Sequence, residues 1–318
     1  HQVGTFAYIR LPGQLASAVG CVLMKVLIAI GETRPLVLAN VPIEKAFWGC
    51  PSPGTLATFC EDRFFCGDHE KYGMALAEAV RPEYEAVAKS GVLLQIDCPD
   101  LAMGRHTRWS DLSDEEFVRD VVEVNVAALN HALTKANVDK AATRFHLCWG
   151  NYSGPHHHDI VGEKIWAAAM KVEAGVVLLE AANPRHEWEW ERLLKAAPLA
   201  EGMRVAAGVI DTKVSTVEHP ELVARRLLRF AEAVGPWRVL AGTDCGMAST
   251  AKSAAVTSDV AWLKLGALGE GARARALASA LALRRTKDAC GDLDVGYRRV
   301  EIPSASSVFS LVGARPLS

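Results

Sequence analysis

The sequence lacks an excess of charge of either sign: 35 Lys and Arg stand against 37 Asp and Glu, a formal net charge of −2. That balance leaves no electrostatic footprint for nucleic acid or an anionic membrane, and small molecules are the expected partners. A membrane span is also missing. The one apolar stretch that resembles a span, Leu15 to Ile30, is broken by Lys25 and falls short of the roughly 20 residues a bilayer requires, so it reads as a buried helix or strand. Cysteine is sparse, eight in 318 residues, which excludes a disulfide-built scaffold. No basic, then apolar, then small-residue leader opens the chain, so a reducing, cytoplasmic compartment is expected. The first residue is His1 rather than Met, as in a fragment or a processed product. Absent too are the phosphate loop, the G-x-G-x-x-G fingerprint and the G-x-S-x-G elbow, so nucleotide cofactors and a serine nucleophile have no support.

What is present is a chain that can build a core. Half of its residues are hydrophobic and 23% charged, which fits a folded globular protein and not a disordered, collagenous or coiled-coil one. From about Asp68 onward, amphipathic stretches alternate with short apolar runs, the grammar of repeated βα units. Asp68 to Ser90 carries Tyr72, Leu76, Ala79, Tyr84 and Val87 at helical spacing, and Gly91 ends it. Ser113 and Glu116 form a capping box for a helix turning Phe117, Val121, Val124 and Leu129 inward. Glu218 to Val234 reads as a helix with Leu222, Leu227, Phe230 and Val234 on its apolar face, and Asp259 to Leu283 as a long Ala- and Leu-rich one. Strands are expected at Val92–Asp97, Arg144–Cys148, Val176–Glu180, Arg204–Asp211 and Arg238–Thr243, with one more between Leu36 and Pro51.

The reactive residues fall at the carboxyl ends of these strands: Asp97, His146 with Cys148, Glu180, Asp211, and Asp244 with Cys245. In a parallel (β/α) barrel those ends converge on one mouth, where the chemistry sits. His146 and Cys148 share a face because strand side chains repeat every two residues. Cys245 and Glu180 could complete a Cys, His and carboxylate set of the kind zinc takes. The plainer interpretation is that a cysteine at a strand end is a small buried hydrophobe, and an H-x-C pair alone is a weak motif.

The run His146-Leu147-Cys148, the strand ending at Glu180, the segments Gly208 to Thr212 and Val217 to Glu221, Thr243 to Gly246, and Leu94 to Asp97 resemble the catalytic half of cobalamin-independent methionine synthase. The likeness runs from roughly Pro51 to Leu277 and covers one barrel, as in the single-barrel branch that also includes epoxyalkane:coenzyme M transferase. It implies an α/β fold, a (β/α)8 TIM barrel of the methionine synthase and uroporphyrinogen decarboxylase type. It implies zinc held by His146, Cys148, Glu180 and Cys245, with Asp97 holding the amino group of an amino-acid thiol. Zinc makes a bound thiol a thiolate at neutral pH, and the thiolate is the nucleophile. The implied reaction is methyl transfer from 5-methyltetrahydrofolate to homocysteine. The alternatives are addition of a thiol to an epoxide and an inactive zinc-binding paralogue.

Two further segments, Gly154 to Ile160 with its three histidines and Glu180 to His186, are closer to the short branch. Arg185 and His186 could hold an anionic group of the substrate, or Arg185 could make a rim salt bridge. One of His156, His157 and His158 is expected to line the mouth or contact the substrate, and none to ligate, since consecutive loop residues rarely point at one ion. Asp211 and Asp244 could orient ligands or cap loops. Six strands can be counted where a closed barrel wants eight. Residues 1–50 are therefore expected to be a diverged or truncated start lacking the first strands, 51–285 the catalytic barrel, and 286–318 an irregular tail. Glu32 resembles a substrate-binding glutamate only superficially, and a homo-oligomer stays open.

Overall fold

Asp68 and Gly91 bracket the first long helix as their chemistry requires. The Asp68 side chain accepts from the Lys71 backbone N–H, and Gly91 takes the left-handed φ of 81° that closes the helix. The computed structural model describes residues 47–247 and 256–290. The expectations for Leu15 to Ile30, for Glu32 and for the tail past 290 lie outside the described residues.

Each strand leads through helices to a parallel neighbour. β1 (Phe47–Pro51) precedes α1 (Pro53–Phe59) and α2 (His69–Ser90); β2 (Leu93–Cys98) is followed by α3 (Asp114–Phe117) and α4 (Glu123–Lys135). Then come β3 (Thr143–Leu147), α5 (Gly162–Ala169), β4 (Val176–Glu180), α6 (Trp190–Ala196), β5 (Arg204–Gly208), α7 (Pro220–Val234), β6 (Val239–Gly242) and α8 (Ser258–Cys290). The six described strands form one sheet in the order β1-β2-β3-β4-β5-β6, every pair parallel. A doubly wound sheet reverses its order at a switch point, whereas an unbroken sequential order is that of a barrel wall. The fold is α/β, as expected.

The alternation within strands sorts the two faces. Leu94, Ile96, Phe145, Leu147, Val177, Leu179, Val205 and Ala207 are buried in the main core, which the helices share through Leu76, Val80, Tyr84, Leu129, Trp166 and Phe230. Burial of each large apolar side chain contributes about 1.5–3 kcal/mol before chain entropy is counted. The opposite face carries Gln95 and Asp97 on β2 beside Arg144 and His146 on β3, with Asp97 and His146 in register. Arg144 donates to Gln95 Oε1 at 3.0 Å and lies 3.5 Å from the centre of the Phe47 ring. Burial lowers its pKa to about 10 despite the nearby Asp97.

Four expectations are corrected. The capping box of Ser113 and Glu116 forms, but the helix it opens passes through a π turn at Val118–Val122 before α4 begins. The wider turn shifts the helical phase, so Val126 is buried and Val124 only half-buried. In α7 the buried residue is Val223, while Leu222 is 42% exposed. β5 ends at Gly208 and β6 at Gly242, so Asp211 and Asp244 lie on loops past the strands. The last helix, expected over Asp259 to Leu283, runs from Ser258 to Cys290.

Candidate metal centre

β3 stops at Leu147 and delivers Cys148 to the first position of the next loop, where the Gly150 N–H donates to Cys148 Sγ at 3.3 Å. Gly150 has a φ of 107°, and a Cβ there would lie 2.8 Å from the Tyr152 ring, so only glycine permits this turn. The loops after β3, β5 and β6 are stitched through Asn151, which accepts from Thr212 Oγ1 at 3.1 Å and donates to the Gly246 carbonyl at 2.7 Å.

Cys148 and Cys245 meet with sulfurs 3.9 Å apart, although two strands separate β3 from β6. In a flat sheet three strand spacings would hold those strands roughly 14 Å apart, so the meeting of the sulfurs requires a sheet curved into an arc. His146, Cys148 and Cys245 present ligand atoms within 4.8 Å of one another. Among the described residues both ring nitrogens of His146 are buried with no aligned hydrogen-bond partner, an arrangement that costs about 1–3 kcal/mol per orphaned group unless something fills the gap. Two sulfurs bound to one zinc at about 2.3 Å and a tetrahedral angle stand about 3.8 Å apart, close to the 3.9 Å separation of this pair. The donor set and its orphaned imidazole therefore fit zinc.

The hydrogen bond from Cys148, opposed by burial, lowers Cys245 to about 5; the same contact raises Cys148 well above the usual thiol range. Burial works against a charged His146, but the Cys245 sulfur outweighs it and raises the imidazole to about 9. The Cys245 sulfur thus favours charge on the His146 ring, yet neither ring nitrogen has an aligned hydrogen bond among the described residues.

Glu180, the expected carboxylate ligand, is buried beside this group but turned to protein partners. Its Oε1 accepts from the Trp149 N–H at 3.2 Å, and its Oε2 accepts from Asn183 Nδ2 at 3.0 Å and from Lys213 Nζ at 2.8 Å. Burial and the charge of Glu180 raise the pKa of Asp244 to about 7. The Asp244 side chain accepts from the N–H groups of Ala181, Ala182 and Asn183, so it holds the loop after Glu180 in place. Asp211 accepts from the Lys213 N–H and so caps its own loop. Asp97 is half-buried and accepts from Gln95 Nε2 at 2.9 Å.

Arg185 is exposed at the rim, its guanidinium 3.5 Å from the His157 carbonyl. His186 is buried instead, stacked on Trp149 at 4.3 Å between ring centres and bonded to Asp159 and Glu189. Burial opposes its charge, but these two carboxylates raise its pKa to about 8. Of the three histidines, His156 turns inward and His157 and His158 stay exposed, their rings 3.8 Å apart.

Lys213, Lys264, Asn183 and Asp159 were not singled out from the sequence. Lys264 of α8 is fully buried, donating to the Asp211 and Thr216 carbonyls and to Glu218 Oε2, which fastens the loop bearing Lys213. The available signal was a lysine inside an amphipathic helix pattern, which reads equally as a solvated position.

Residues 62–263 match the family model of the cobalamin-independent synthase catalytic domain. The chain is 27% identical over 237 residues to the uncharacterized protein YxjH of Bacillus subtilis, covering 68% of this chain and 57% of that one. It is 27% identical to a methionine synthase of Thermococcus kodakarensis, covering 61% and 48%, and 27% identical to 2-hydroxypropyl-CoM lyase of Xanthobacter autotrophicus, covering 55% and 48%. The chain thus spans about half the length of these curated relatives. A solved structure of a B12-independent methionine synthase from a Shewanella species, in complex with selenomethionine, superposes with a TM-score of 0.57 at 21% identity, covering 81% of this chain and 67% of that one. At that identity the superposition speaks for a shared fold, the methionine-synthase type of barrel. The family model spans well over half of the chain, and the protein belongs to the cobalamin-independent synthase catalytic-domain family.

Proposed function

We propose that this protein is a zinc-dependent thiol alkyltransferase, and that its reaction is methyl transfer from 5-methyltetrahydrofolate to homocysteine. The observation that carries the reading is the buried imidazole of His146, with no aligned hydrogen bond at either nitrogen among the described residues, beside two sulfurs at tetrahedral spacing. Zinc held there supplies the acidity that makes a thiol a thiolate at neutral pH.

The chain's own residues do the rest. His146, Cys148 and Cys245 hold the ion, and Glu180 is the carboxylate able to join them or to yield its place. Lys213 keeps the Glu180 charge compensated when that carboxylate is turned away, at their 2.8 Å contact. Asp97, in register with His146, offers a carboxylate to the amino group of an amino-acid thiol. Arg185 at the rim offers a guanidinium to an anionic group. Catalysis on this reading is thiolate generation plus positioning.

A second electrophile is supported by the relative named 2-hydroxypropyl-CoM lyase, as similar to this chain as the named methionine synthase is. In that reading an epoxide replaces the methyl donor, and Arg185 meets a sulfonate.

Metal analysis tests the centre. The wild type should carry about one zinc per chain at this centre, lost in Cys245→Ser, and a wild type without zinc overturns the reading. Turnover with homocysteine and 5-methyltetrahydrofolate, run beside coenzyme M with an epoxide, decides the electrophile. Zinc binding with neither turnover would identify the inactive paralogue.

A further inference from the structure

We propose that His156, Asp159 and His186 form a second metal site for a first-row divalent transition ion, beside the cysteine-containing centre and with His106 at its edge. His106 lies in the turn after β2, His156 and Asp159 in the loop after β3, and His186 in the loop after β4. The ligand atoms of His156, Asp159 and His186 lie within 4.8 Å of one another, all three residues buried.

The placement of protons leads to the ion. A neutral imidazole has one N–H, and its other nitrogen is a lone pair. His156 Nε2 faces the Tyr152 carbonyl at 2.9 Å, which only accepts, so the proton belongs there. That leaves His156 Nδ1 as a lone pair 2.8 Å from Asp159 Oδ2. His186 repeats the pattern: Nδ1 faces Glu189 Oε1 at 2.6 Å, and Nε2 lies 2.9 Å from the same Asp159 oxygen. In their neutral forms both rings aim a lone pair at the Asp159 carboxylate, so these contacts require either an extra proton on each ring, the form the two carboxylates favour on His186, or one cation between them.

A further contact favours the cation. His106 Nδ1 and Asp159 Oδ1 are both buried, 3.2 Å apart, yet neither has a properly aligned hydrogen-bond partner. The Asp159 oxygen is thereby left free to turn to an ion held by His156 and His186. The spacings of 2.8 and 2.9 Å lie close to the edge of an octahedron with bonds of about 2.1 Å, roughly 3.0 Å. The outer nitrogens of the two rings are already oriented by a carbonyl and a carboxylate, the support that metal-bound imidazoles receive. His156 is held at a left-handed φ of 51°, which turns its ring inward while His157 and His158 stay exposed. Imidazole and carboxylate without sulfur suit Zn, Fe, Co, Ni or Mn ions.

The test uses the full chain and cobalt(II). With Cys148→Ser and Cys245→Ser together, the protein should still bind about one cobalt per chain, with d–d absorption but no thiolate-to-metal charge-transfer band. Adding Asp159→Asn or His156→Gln should weaken that binding by at least about tenfold. In the otherwise wild-type chain, His156→Gln should reduce the cobalt stoichiometry from two to one while the charge-transfer band stays, a readout that does not depend on the double variant folding. A wild type that takes up cobalt only with the charge-transfer band and is unmoved by His156→Gln would overturn the proposal. So would a folded double-serine variant that binds none.

Discussion

Lys213 Nζ lies 2.8 Å from Glu180 Oε2 in the interior of the protein, the two side chains 8% and 0% exposed. A buried pair of this kind contributes little compared with an apolar substitute, but losing one partner strands the other charge. Burial opposes the ammonium, yet the Glu180 and Asp244 carboxylates hold the Lys213 pKa well above its ordinary value. Lys213→Met should therefore destabilise the protein by about 3 kcal/mol, and combining it with Glu180→Gln should recover part of the loss. Urea unfolding of the two single variants and the double variant measures this; simple additivity would show that the pair does not interact.

With no ion between them, Cys148 and Cys245 face each other as thiol and thiolate at 3.9 Å. A shift of about 2 Å brings them to disulfide bonding distance. Mild oxidation of chelator-treated protein should link these two residues, and prior loading with zinc should block the link. Peptide mapping under non-reducing conditions reads the outcome, and a zinc-loaded sample that oxidises equally fast would contradict a shared ion.

Gly54 in α1 packs onto the end of β2. A Cβ at Gly54 would lie 2.1 Å from Asp100 Oδ2 and 2.5 Å from the Asn125 amide. Both side chains belong to a buried cluster in which Asp100 accepts from Ser52 and Thr55 hydroxyls and from Asn125. Gly54→Ala should cost about 1–3 kcal/mol by overpacking. Thermal unfolding checks it, with Gly67→Ala a poor control because Gly67 has a positive φ and Gly266→Ala a good one, since Gly266 has open space around it.

Lys264→Met should free the segment from Asp211 to Glu218. The variant removes donors to two carbonyls and a carboxylate, so amide hydrogen exchange should rise first in that segment and not in β2 or β3. Uniformly faster exchange would mean that Lys264 supports the whole fold and not this loop.

The order of strands and the residues at their ends were legible because strand, helix and cap signals are local. Asp68, Gly91 and the Ser113–Glu116 box act within one turn of their own helix. The π turn was not, since nothing in Val118 to Val122 departs from an ordinary helical pattern. Reading His146, Cys148 and Cys245 as neighbours needed the barrel as a premise, and the structure brings them together. The ties to Lys213 and Lys264 were hidden for a different reason. A lysine is paired or solvated according to what packs against it from elsewhere in the chain, and its partners here are 33 and 46 residues away.

The contact between Cys148 and Cys245 spans 97 residues of chain. An ion shared by them would close a loop of that size, and by analogy with a disulfide this restricts the unfolded chain by an amount on the order of 4 kcal/mol. The centre would then act as a cross-link as well as a reagent. Cells short of the metal would lose chain as well as turnover, because β3 and β6 would be held in one arc by packing alone and the opened protein would be more available to proteases.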